Sequence, residues 1–170
     1  MDDNPRKRTL AQKTRSDPYI DALKLLARRE LSAAGVRARL LDRDHTPEEA
    51  DAAIARLLEN GALDDRRVAR AYARTASKIK GRGRLRVKRE LEAMGIAREV
   101  VAEAVAEVFG DLDERLLIDK AIQKKLRGGK KAETTQERAR LYQYLMRQGF
   151  TPAAVSVALR RLGASPPTDE

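Results

Sequence analysis

A short apolar pattern recurs three times along this chain, and that recurrence restricts the fold more than any other feature. Residues 36–40 (VRARL), 87–91 (VKREL) and 141–145 (LYQYL) each carry two apolar positions four apart. Each is followed by a break at Asp44, Gly95 or Gly149, then by His45, Ile96 or Phe150, then by a helix-start position at Thr46, Ala97 or Thr151. The next segments repeat their apolar positions at Ala50/Ile54/Leu57, Val101/Val105/Val108 and Val155/Leu159/Leu162. The copies start 51 and 54 residues apart. A period of that size marks tandem supersecondary units, and helical spacing within each copy makes the unit a small helical bundle. Linkers inside the units vary, and the third copy carries an insertion around residues 128–132.

The punctuation supports helices throughout. Pro18, Pro47 and Pro152 each follow a capping residue (Asp17, Thr46, Thr151), and proline at a first helical position has no donor to lose. Residues 46–49 (TPEE) form a capping box, and Asp64-Asp65 places an aspartate cap and a negative charge at the next helix start. Glycines at 61, 81, 95, 110, 128, 129, 149 and 163 mark stops. Between these marks lie about nine helices, at roughly 18–30, 33–43, 47–60, 65–80, 84–94, 98–109, 112–127, 135–148 and 152–162. The expected fold is all-α, an elongated array of three tandem three-helix repeats at 17–64, 65–109 and 110–163. Residues 1–16 form a basic tail and 164–170 a second tail, both expected to be disordered. A unit of this size buries little on its own, so neighbouring units are expected to pack on one another.

Composition narrows the chemistry. The 170 residues contain no cysteine and a single histidine, His45. That excludes a disulfide framework, a thiolate metal site and a thiol nucleophile, and it weakens most acid–base schemes. His45 sits in an inter-helix turn at an apolar position of the repeat and reads as a packing or surface residue rather than a catalytic one. Residues 128–131 (GGKK) lack the upstream glycine and the Ser/Thr of a phosphate-binding P-loop. No Ser/His/Asp set or metal-spaced carboxylate cluster is evident, so neither enzymatic activity nor a cofactor or metal is expected. No stretch is long and apolar enough to cross a membrane, and the N-terminus does not read as a secretory signal. A cytoplasmic monomer is expected.

The chain carries 36 Lys and Arg against 26 Asp and Glu, a net charge of +10. Residues 17–64 are net −3, whereas 65–109 and 110–163 are each +6. Two windows contain no acid. The first holds Lys78, Lys80, Arg82, Arg84, Arg86, Lys88 and Arg89; the second holds Lys120, Lys124, Lys125, Arg127, Lys130 and Lys131. Either could be a solvated helix face. Two such clusters in adjacent repeats favour contact with a polyanion, which phosphates provide without sequence readout. Arg82, Arg86 and Arg89 are spaced to lie away from the Val87/Leu91 face, and Gly81 and Gly83 would let backbone approach a phosphate. The six aromatic residues are too scattered for a base-stacking platform.

Residues 57–72 (LLENGALDDRRVARAY) resemble the signature joining the first two repeats of the RecX family, bacterial regulators of the RecA recombinase. The pattern is L-x-x-x-G-x-[LI]-D-[DE]-x-x-[FV]-A-x-x-[YWF]. It continues through Gly83, Val87, Glu90-Leu91 and Met94-Gly95-Ile96, and then through Leu141-Tyr142, Tyr144-Leu145, Arg147 and Gly149-Phe150. The resemblance spans residues 19–162. Four positions depart from it: Asp44-His45 replaces glycine plus an apolar or aromatic residue, Gly35 replaces a glutamate, and Arg84 stands where proline is common.

The resemblance implies tandem three-helix repeats and a regulator that binds the groove of the RecA–single-stranded-DNA filament. Such a regulator lowers ATP hydrolysis, strand exchange and filament extension in recombinational repair and the SOS response. The implied partners are RecA and single-stranded DNA, with double-stranded DNA as a further candidate. The family brings no catalytic motif, so the thirteen cations of the two windows are site candidates on charge alone. The alternative is a stand-alone nucleoid or transcription protein using helix-turn-helix-like units. Against it, no unit shows a helix bearing Asn, Gln and Arg toward base edges.

Overall fold

Why the chain folds as two units follows from where its apolar stripes close. In the computed structural model, which describes residues 16–126, 132 and 134–163, the described residues form nine α-helices and no strand. They divide into one compact unit ending at Asp65 and a second beginning at Arg66.

The first unit contains α1 (Pro18–Leu26), α2 (Ala33–Leu41) and α3 (Pro47–Glu59). Both α1 and α2 pack on α3. Their buried stripe runs through Ala22, Leu25, Val36, Leu40, Ala50, Ala53, Ile54 and Leu57, closed by Leu31 and Leu63. The caps follow the sequence. Asp17 accepts from the Tyr19 amide at 2.8 Å, and Thr46 and Glu49 form the full reciprocal box. Ser32 caps Gly35 with no glutamate to answer it. Helix α1 stops at Leu26 rather than near residue 30; the positions that would continue the Ala22/Leu25 stripe, 28 and 29, are arginines. Asp65 accepts from the Ala33 amide at 2.8 Å, so its carboxylate serves the start of α2.

The second unit contains α4 (Asp65–Lys78), α5 (Arg84–Ala93), α6 (Arg98–Gly110), α7 (Glu114–Lys125), α8 (Thr135–Gln148) and α9 (Pro152–Gly163). One continuous core runs from Val68 on α4 to Ala158 on α9. Val87, Leu91, Val101, Ile118, Leu145, Phe150 and Val155 are fully buried in it. The second and third sequence repeats therefore share a core, whereas the first, of similar length, closes a core of its own.

The turn before the last helix of each repeat has the same backbone. Gly95 and Gly149 lie in the left-handed region at φ 75° and 88°, and Asp44 takes that conformation at φ 64°. The residue after each turn (His45, Ile96, Phe150) is buried. His45 places Nε2 3.1 Å from Oδ2 of Asp21, itself buried. The expected cap at Thr151 differs: its amide and hydroxyl both donate to Glu114 at the start of α7, each at 3.0 Å. That ties the α8–α9 turn to α7.

Candidate nucleic-acid interface

The first basic window is acid-free only along the chain. Glu90, one residue beyond it, accepts from Arg82 at 2.7 Å, Arg86 at 2.9 Å and the Tyr72 hydroxyl at 2.8 Å. Arg82 also donates to the Tyr72 oxygen at 2.8 Å. Partial burial opposes ionisation of Glu90, yet Arg86, Tyr72 and Arg82 together hold its carboxyl below the usual range. Burial and the adjoining Glu90 push the Tyr72 phenol up. Arg82 precedes the N-cap Gly83, so it does not share a helical face with Arg86 and Arg89; it folds back over α4. Lys88 lies 4.0 Å from Glu92. Farther along α4, Arg70 and Arg74 are paired with Glu107 of α6.

The glycines serve the fold rather than a phosphate. Gly83 is buried, and a Cβ there would lie 2.3 Å from the Gly149 carbonyl oxygen. The Gly83 amide donates to the Gln148 carbonyl at 2.8 Å, and the Leu85 amide to the Gly149 carbonyl at 3.0 Å. The positive end of α5 thus meets the carbonyl end of α8, each satisfying groups the other leaves open. Arg84 occupies the first helical position of α5, where a proline would also fit.

The remaining cations are exposed. Lys78, Arg84, Arg89, Lys120 and Lys124 have no carboxylate at ion-pair distance among the described residues. Lys80 sits over the Tyr72 ring at 5.7 Å, and Lys125 over the Tyr144 ring at 5.2 Å. Arg127, Lys130 and Lys131 lie outside the described residues, as do residues 1–15 and 164–170 of the two tails. Arg86 and Arg89 come together with Arg147 of α8 around an open depression, and Lys125 reaches the same helix at Tyr144.

Residues 19–57, 64–105 and 113–169 match, in order, the first, second and third three-helix domains of RecX. The chain belongs to the RecX family. The regulatory protein RecX of Pelodictyon phaeoclathratiforme is 30% identical over 83% of this chain and 86% of its own length. That of Thermus thermophilus is 35% identical over 86% of this chain and 92% of its own. Crystallised RecX from Lactobacillus salivarius shares the fold with a TM-score of 0.71 at 19% identity, covering 86% of this chain and 94% of that one. Of the residues around the depression, Glu90, Ala93, Met146 and Arg147 lie outside the charge windows, and Arg147 is the one further cation. A lone arginine on α8 carries no charge-cluster signal in a linear scan.

Proposed function

We propose that the chain is a negative regulator of the RecA recombinase that binds the RecA–single-stranded-DNA filament and lowers its ATP hydrolysis, strand exchange and extension. Membership of the RecX family carries this reading, since the relatives are named regulatory proteins. The charge distribution supports it. Residues 17–64 are net acidic and suit a basic protein face, whereas 65–109 and 110–163 are each net +6 and suit phosphates.

The test is single-stranded-DNA-dependent ATP hydrolysis by the cognate RecA, with the chain titrated in from well below one per recombinase. Suppression at substoichiometric levels is expected. No effect up to excess, together with tight binding to the same DNA alone, would replace this reading with that of a stand-alone DNA-binding protein.

A further inference from the structure

We propose that the open depression between α5 and α8 is a nucleotide site for single-stranded DNA, with the phosphodiester on Arg89 and Arg147 and a base on the Ala93–Met146 floor. The inference rests on the nucleic-acid contact in the reading above and names its place. The depression has a volume of about 620 Å³, within the usual range for small-ligand sites. Its lining is Arg86, Arg89, Glu90, Ala93, Met146 and Arg147.

Three guanidinium groups face one carboxylate, and that carboxylate is already covered. Tyr72 and Arg82 donate to Oε2 of Glu90, and Arg86 donates to Oε1. Arg86 is further held by the Arg147 carbonyl at 3.3 Å and the Gln148 side-chain oxygen at 3.5 Å. Arg89 makes only a long contact with the Leu85 carbonyl of its own helix, at 3.4 Å, so its guanidinium is available to a bidentate acceptor. The side chain of Arg147 is exposed and without an acidic partner among the described residues. Backbone bonds fasten Gly83 and Leu85 to Gln148 and Gly149, so the fold itself brings Arg89 of α5 and Arg147 of α8 to one depression.

The floor decides among polyanions. Ala93 and the Met146 thioether give an apolar, polarisable surface without directional donors. A duplex hides its base faces, and an acidic peptide would leave such a floor uncovered. A single strand presents both phosphates and unstacked bases. No base edge is read, so binding is indifferent to sequence.

The experiment follows the methyl resonances of the three methionines in the full chain by nuclear magnetic resonance, titrating oligothymidylate, an abasic oligonucleotide of equal length, and polyglutamate. Oligothymidylate is expected to shift the Met146 methyl while the other two probes leave it in place. The double variant R89E/R147E, its fold checked by circular dichroism, should weaken oligothymidylate binding at least ~10-fold and flatten the log K against log salt slope by about 1.4, the effect of two single-strand phosphate contacts. R28E/R29E, an equal charge change at two exposed arginines of the first unit, should keep the Met146 shift. An equal Met146 shift with polyglutamate or the abasic strand, oligothymidylate binding with Met146 silent, or no binding would each overturn the site. The two readings fail separately. Suppression of RecA with Met146 silent removes the site and leaves the role, whereas a Met146 shift without suppression does the reverse.

Discussion

Gly83 and Gly149 lie backbone against backbone: a Cβ on Gly83 would sit 2.3 Å from the Gly149 carbonyl oxygen, and one on Gly149 would meet Arg86 Cβ at 2.3 Å. Neither neighbour is the flexible end of a side chain, so neither can swing aside. Gly83→Ala is therefore expected to destabilise the second unit by about 2–3 kcal/mol through overpacking. Gly110 ends α6 with open space where its Cβ would be. Gly110→Ala should be neutral or stabilising by about 0.5–1 kcal/mol. Urea unfolding of the two variants beside the parent checks both, and equal effects would contradict the packing account.

Asp44 holds φ 64° at the turn where the other two repeats use glycine. A side chain in that region costs energy that glycine does not pay, although aspartate tolerates it better than most residues. Asp44→Gly is expected to raise the stability of the first unit by a few tenths to about 1 kcal/mol, after the larger unfolded-state entropy of glycine is subtracted. A thermal melt with a lowered midpoint would show that aspartate is favoured there.

Asp21 sits buried among Ser16, His45, Lys24 and Arg43. The Ser16 hydrogen bond, opposed by burial and aided by His45, Lys24 and Arg43, holds its carboxyl below the usual value. The folded chain therefore releases this proton more readily than the unfolded chain. The resulting stability is fully present above about pH 4 and is lost as pH falls through the lowered folded value. Asp21→Asn should reduce stability at neutral pH by about 1–3 kcal/mol and flatten the acid limb of a stability–pH curve. An unchanged acid limb would place that dependence on other carboxylates.

Glu90 stands at once in a structural tie and in the wall of the proposed nucleotide site. Glu90→Gln should lower the stability of the second unit by about 1–3 kcal/mol, because two arginines lose a charged partner. The same change removes the one negative charge lining the depression and should tighten oligothymidylate binding. Opposite signs in a melt and a binding titration are the expected pattern; loss of both would make Glu90 purely structural.

Arg82 and Arg89 should separate in the same way. Arg82→Ala breaks the Tyr72–Glu90 cluster and is expected to cost stability with little loss of DNA affinity. Arg89→Ala should leave the melt within about 0.5 kcal/mol and weaken binding. Paired melts and titrations decide it.

The helices were legible because their signals are local. Thr46 and Glu49 cap one helix from four adjacent residues, and Val87 and Leu91 define a buried stripe one turn apart. The site was only half legible because pairing is tertiary. Nothing in the run from Lys78 to Arg89 shows that Tyr72 and Glu90 neutralise part of it, nor that Arg147 comes to lie beside Arg89, 58 positions earlier. By sequence Gly83 offers room for a phosphate, but that room is taken by Gly149, whose approach depends on how α8 ends.

The tying of arginine to glutamate within the second unit changes how its charge behaves in solution. A guanidinium already matched to a carboxylate has shed its own counterion and displaces few more when a phosphate comes near. In the proposed role, such a chain would release fewer counterions than its 36 cations suggest. Affinity for a polyanion then falls less steeply with ionic strength than it would for an untied chain with the same number of cations.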